Sequence, residues 1–131
     1  MGFFDKIVKS FTGVETPSEK DSVWNHIETE EEIESVILDS KKRVQVVYKH
    51  SPSCGVSYFA LNNLDHPELF GNKDIDLHLI DVIKGRSVSK IFAEQIGVRH
   101  ESPQVIVITD GSVKWHGSHN SVNAENVLAH I

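Results

Sequence analysis

The sequence predicts an α/β protein whose central mixed sheet is covered by helices on both faces. Three observations predict it. Apolar runs of strand type occur at Val44 to Tyr48, Ile75 to Ile83 and Val105 to Ile108. Stretches with helical spacing and helix-start signals lie between those runs. Asp110-Gly111 then joins two strand-like runs as a tight hairpin, which makes the sheet mixed rather than purely parallel. The predicted order is β-α-β-α-β-α-β-β-α.

The elements follow in turn. Phe3, Phe4, Ile7, Val8 and Phe11 recur at helical spacing, with Asp5, Lys6, Lys9 and Ser10 between them. Residues 1–22 are thus expected to form a short amphipathic helix and a linker rich in Gly, Ser, Thr and Glu, ahead of a folded domain over 23–131. Val23 to Ile27 is a short first strand. Thr29 with Glu32 three residues on forms a capping-box pair, and Glu30, Glu31 and Glu32 suit the positive end of the helix that follows. Ile33, Val36 and Ile37 are its apolar face, and it ends near Lys41. After the strand Val44 to Tyr48, Ser51-Pro52-Ser53 breaks the chain, and a helix is expected from about Cys54 to Leu69. Strand Ile75 to Ile83 leads to helix Val88 to Ile96, which Gly97 closes. Val105 to Ile108 and Val113 to Trp115 form the hairpin strands. A last helix, Val122 to Ile131, would be capped by Ser121 or Asn120.

Composition narrows the function. The 131 residues suit one domain able to bury a core, and 39% hydrophobic with 24% charged residues is a globular balance. A net charge of −6 without a basic stripe argues against nucleic acid as a partner. No apolar stretch nears the ~20 residues of an integral membrane segment. The chain has one cysteine, so no internal disulfide is possible. No signal peptide is recognisable, and a cytoplasmic location is expected. Eight histidines show no metal spacing beside one cysteine, so no metal site is expected.

The chemistry centres on Cys54, which lies where a buried strand ends and a helix begins. The unpaired N–H groups of a first helical turn and the helix dipole both favour a thiolate. A cysteine so placed is expected to have a lowered pKa, to be partly exposed, and to be the nucleophile. Cysteine is also a common small core residue, but core positions seldom follow Ser-Pro-Ser and precede Gly.

Cys54-Gly55-Val56-Ser57 resembles a monothiol form of the Cys-x-x-Cys site of thioredoxins and glutaredoxins, with Ser57 in place of the second cysteine. Ser102-Pro103, just before the third long strand, matches the position of the cis-proline of that fold. More broadly, Lys49-His50-Ser51-Pro52-Ser53-Cys54, His100-Glu101-Ser102-Pro103-Gln104-Val105 and Trp115-His116-Gly117-Ser118-His119 resemble the YtxJ family, monothiol bacilliredoxin-like proteins of the bacillithiol system. The resemblance spans roughly Trp24 to Ile131. It implies a thioredoxin-like fold and a thiol–disulfide oxidoreductase that reduces mixed disulfides between protein cysteines and a low-molecular-weight thiol. It also implies S-thiolated client proteins as partners and bacillithiol or glutathione as co-substrate, with no tightly bound cofactor. Many relatives carry proline after the cysteine. Gly55 stands there instead, as in the Cys-Gly-Phe-Ser glutaredoxins that hold an iron–sulfur cluster, so a cluster- or thiol-binding carrier is an alternative. A redox-inert thioredoxin-like adaptor is another.

The residues expected to act are Cys54 as nucleophile and Ser57 as a thiolate stabiliser. Pro52, Gly55, Ser102 and Pro103 would shape a substrate groove, and the backbone of Ser102 would pair with an extended substrate peptide. Gly117 and Ser118 would start a glycine-led loop entering the last helix, where backbone N–H groups would hold a carboxylate. Tyr48 occupies the place of the buried relay acid of thioredoxins and reads as core. His50 is either a solvated strand-end histidine or a partner of the thiolate.

Overall fold

The structure, a computed structural model, describes residues 23–131. Its order is β1 (Asn25–His26), α1 (Glu30–Asp39), β2 (Val44–His50), α2 (Gly55–Asn63), α3 (Pro67–Phe70), β3 (Ile75–Asp81), α4 (Arg86–Ile96), β4 (Gln104–Thr109), β5 (Ser112–Ser118), a 3₁₀ turn (His119–Ser121) and α5 (Ala124–Leu128). The five strands lie in the order β1-β3-β2-β4-β5. The first three are mutually parallel, while β4 runs antiparallel to β2 and β5 antiparallel to β4. The α/β class and the mixed sheet are as expected. The N-terminal helix and linker predicted for 1–22 lie outside the described residues.

Period-two alternation divides the core between the two faces of the sheet. Val46, Tyr48, Leu77, Leu79, Val105 and Val107 pack in one core with Ala60 of α2, Leu64 at its C-cap, Leu69 of α3 and Val127 of α5. Val47, Ile80, Ile106 and Ile108 face Ile33 and Val36 of α1 and Phe92 of α4. The central strand β2 is buried on both faces, so it reads as a nearly continuous apolar run.

Local signals explain the helix boundaries. Thr29 Oγ1 accepts from Glu32 N–H at 3.2 Å, and Glu32 Oε1 accepts from the Glu28 N–H and the Thr29 hydroxyl, which completes the expected box. Gly97 closes α4 with φ 71°, a left-handed conformation that glycine adopts without strain.

Several boundaries differ from expectation. The helix predicted from Cys54 to Leu69 is two helices. His66 precedes Pro67, takes the extended conformation that a following proline favours, and caps α3 through its own ring nitrogen. The last helix is shorter and is capped by Asn123, whose side chain accepts from Asn126 N–H at 2.8 Å. Asn120 and Ser121, the expected caps, form the 3₁₀ turn. Strand β5 continues to Ser118, so Gly117 and Ser118 pair with Val105 and Gln104 instead of opening a loop into a helix.

Candidate active site

The β2–β4 register sets Lys49 opposite Gln104. The turn that leaves β2 and the Ser102–Pro103 bond that enters β4 therefore meet at one end of the sheet. That bond is cis, as the sequence position suggested. Pro103 is buried, and its carbonyl accepts from His119 N–H at 3.0 Å.

Cys54 is the N-cap residue of α2, with extended backbone (φ −115°, ψ 119°) and partial exposure. Its N–H donates to Ser51 O at 3.0 Å, which closes the Ser51-Pro52-Ser53 turn. Its carbonyl accepts from Ser57 N–H at 3.1 Å and Tyr58 N–H at 3.4 Å, so the residue is locked into the first helical turn. The side chain makes no capping hydrogen bond. Pro52 is half-buried and Gly55 exposed on either side of the cysteine.

Ser57 is fully buried and is the hub of a polar cluster at the end of β2. Its Oγ lies 2.9 Å from the Ser51 N–H nitrogen, 3.1 Å from His50 Nδ1 and 3.1 Å from the Tyr48 hydroxyl. The Tyr48 hydroxyl donates to Ser57 O at 2.6 Å. One arrangement of hydrogens satisfies every contact. Tyr48 spends its hydrogen on the Ser57 carbonyl, and the Ser57 hydroxyl donates to the Tyr48 oxygen. Oγ then accepts from Ser51 N–H and from His50 Nδ1–H.

Tyr48 is core, as expected, and burial pushes its phenol up to about 12. The Ser57 hydrogen bond opposes that rise, and the charge of Cys54 adds to it. His50 is not a solvated strand-end residue: it is 6% exposed and packs edge-on against Tyr58 at 4.6 Å. Sequence reading missed this because it placed the strand end at Tyr48, two residues early.

The remaining candidates divide between two places. Ser102 is half-buried beside Pro103, and its hydroxyl has no partner among the described residues. Gly117 and Ser118 sit on β5. A Cβ on Gly117 would lie 2.7 Å from the Trp115 ring, and the Ser118 hydroxyl donates to the Glu101 carboxylate. That bond holds the Glu101 carboxyl below its usual range. The expected α-helix start is not at Gly117 and Ser118: a 3₁₀ turn follows Ser118, and the helix is capped five residues later by Asn123.

Two surfaces flank Cys54. On one side, Gly55, Val56, Phe59, His119 and Asn120 line a groove of about 470 Å³, with Val56 and Phe59 59% and 74% exposed. On the other, a groove of about 740 Å³ runs between Ser51, Ser53 and α4. A residue that sequence reading passed over lies behind this second groove. Lys49 is fully buried on β2, and burial lowers its amine to about 8. Its Nζ lies 3.2 Å from His100 Nδ1 and 5.6 Å from the Phe92 ring centre. The available signal was a lysine directly after a strand-like apolar run. Among the described residues no group of three or more His, Cys, Asp and Glu side chains is placed to hold a metal ion. No helix there is long and apolar enough to cross a membrane.

Comparison with known proteins agrees with the geometry. The family model described as monothiol bacilliredoxin BrxC matches residues 25–127. A solved structure described as a candidate oxidoreductase with a thioredoxin fold is 26% identical, with a TM-score of 0.73, covering 85% of this chain and 96% of that one. Fasciola hepatica thioredoxin, 19% identical, superposes with a TM-score of 0.63 over 82% of this chain and 99% of its own. Thioredoxin O2 from Arabidopsis thaliana, 14% identical, gives 0.63 over 83% and 91%. The last two show the shared thioredoxin fold.

Proposed function

Because this chain belongs to the monothiol bacilliredoxin family, we propose that it reduces mixed disulfides between protein cysteines and a low-molecular-weight thiol of the bacillithiol type, through Cys54. The observation that carries the proposal is the position of the single cysteine. It caps α2, partly exposed, at the end of the sheet that also holds the cis Ser102–Pro103 bond.

The steps follow from having one thiol. Cys54 thiolate attacks the small-thiol sulfur of the modified protein, and the protein–small-thiol S–S bond breaks. The electron pair leaves on the client sulfur, which takes a proton from solvent and departs as a free thiol. Cys54 now carries the small thiol in a new disulfide. Position 57 is serine and the chain has no other cysteine, so an internal resolving step is impossible. A second small-thiol molecule attacks the adduct, which releases Cys54 thiolate and a symmetrical small disulfide. Bacillithiol or glutathione serves as this co-substrate, and no tightly bound cofactor takes part. Ser57 positions the reaction: it ties Ser51, His50 and Tyr48 into one unit below the cysteine. The cycle requires a compartment that keeps small thiols reduced, which fits a cytoplasmic protein.

The test is release of client thiol from an S-thiolated protein, followed with a thiol-reactive dye in the presence of excess small thiol. Cys54→Ser is expected to bring the rate down to the uncatalysed background while circular dichroism stays unchanged. A folded Cys54→Ser protein that retains catalysis would overturn the proposal.

A further inference from the structure

The buried Lys49 has no place in the exchange chemistry, and its surroundings identify a second site. Among the described residues no carboxylate reaches its amine: its contacts are His100 Nδ1 and the face of Phe92. A cation fully buried without a counter-charge is costly, and such groups gather at functional sites.

We infer that the groove between α4 and the Ser51–Ser53 turn binds the carboxylate end of the small thiol that reacts at Cys54. The inference rests on the exchange reading above. Val82, Ile83 and Ala93 form the apolar part of the groove; Arg86, Lys90 and His100 stand among its polar residues, with Glu94 as its one carboxylate. Two rim cations therefore face one rim anion, with the Lys49 charge behind them. His100 Nδ1 lies 3.2 Å from both the Lys49 amine and the Ser89 hydroxyl. The Lys49 ammonium can only donate, which favours the neutral ring with its hydrogen on Nε2, polarised from behind by a buried charge. Burial and the Lys49 charge both disfavour the imidazolium, which agrees with that assignment. Helix α4 opens at this wall.

Size and position favour a small molecule over a protein segment. A groove of about 740 Å³ is within the range of small-ligand pockets. Ser53 forms one wall and is bonded directly to Cys54, so a ligand held by its carboxylates keeps its sulfur near the nucleophile. The apolar groove at Val56 and Phe59, on the other side of the cysteine, is left to the client.

The test compares the reaction of reduced protein with two small disulfides at low salt. 3,3′-Dithiodipropionate is anionic and bis(2-hydroxyethyl) disulfide is uncharged. A free model thiol sets the reference ratio of the two rates. The protein is expected to favour the anionic disulfide over that reference by about 5- to 10-fold, the size of two partly exposed charge pairs. The preference should collapse in the Arg86→Gln/Lys90→Gln double variant, which alters only exposed side chains. It should also collapse in high salt and survive in Arg86→Lys. Lys49→Met should lower it too, with the fold checked by circular dichroism. Reaction with both disulfides at the reference ratio, or a preference that persists in the double variant, would overturn the groove alone. Reaction with neither would overturn the exchange reading and this inference with it.

Discussion

Ser57 Oγ has one hydrogen and two acceptor positions, and its three neighbours use all of them. Ser57→Ala would leave the Ser51 N–H and His50 Nδ1 buried without that partner. A loss of about 1–3 kcal/mol is expected in urea unfolding, together with slower exchange. Tyr48→Phe would take the acceptor from the Ser57 hydroxyl and the donor from the Ser57 carbonyl, and the double variant should cost less than the sum, because both act on one network. Lys49 behaves in the opposite way. Its folded-state pKa of about 8 lies below the unfolded value near 10.5, so the unfolded chain holds the proton more tightly. The penalty of the buried charge is fully present below pH 8 and fades as pH rises from about 8 toward 10.5. Lys49→Met should therefore raise the urea midpoint at pH 7, and the gain over wild type should shrink by pH 9.5. At this scale the cysteine was legible, because its position is defined by a strand end and a helix start. His50 and Lys49 were not. Their burial depends on β4 and the helices closing over β2 from both sides, which no local spacing reveals.

Among the elements, α1 shows local signals that agree with the fold. Thr29 and Glu32 satisfy each other and the neighbouring backbone. Thr29→Ala should cost about 1 kcal/mol in thermal or urea unfolding with no effect on exchange. The α2–α3 break was written in the chain as His66-Pro67, but the apolar spacing through Leu64 and Leu69 masked it. Both leucines do pack in the same core, so periodicity alone spoke for one long helix. The end of β5 was less legible. Asn120, Ser121 and Asn123 are all good capping residues, and the choice is made by Gly117 and Ser118 pairing with β4. Gly117 is required there by close approach: an alanine Cβ would meet Trp115 at 2.7 Å and Ser121 at 3.0 Å. Gly117→Ala should destabilise the protein through overpacking, by about 1–3 kcal/mol in the same unfolding assay.

Across the whole molecule, the β2–β4 register decides the layout. It brings the turn before Cys54 and the cis-proline to one end of the sheet, with a groove past Val56 and Phe59 on the α2 side and one that carries Arg86 and Lys90 on the α4 side. Cys54 sits between them and can meet a client on one side and a small thiol on the other. The α/β architecture was readable because strand and helix signals alternate cleanly from Thr29 onward. The two-sided site was not, since it depends on loops that meet only after the sheet has formed. The central claim is that Cys54 removes the small thiol from a client and carries it. Intact-mass spectrometry of reduced protein mixed with an S-thiolated client, without added small thiol, tests this directly. The account predicts a mass gain of one small thiol on Cys54, matched one-to-one by free client thiol. An unmodified Cys54, or a client joined covalently to it with no small-thiol adduct, would contradict it.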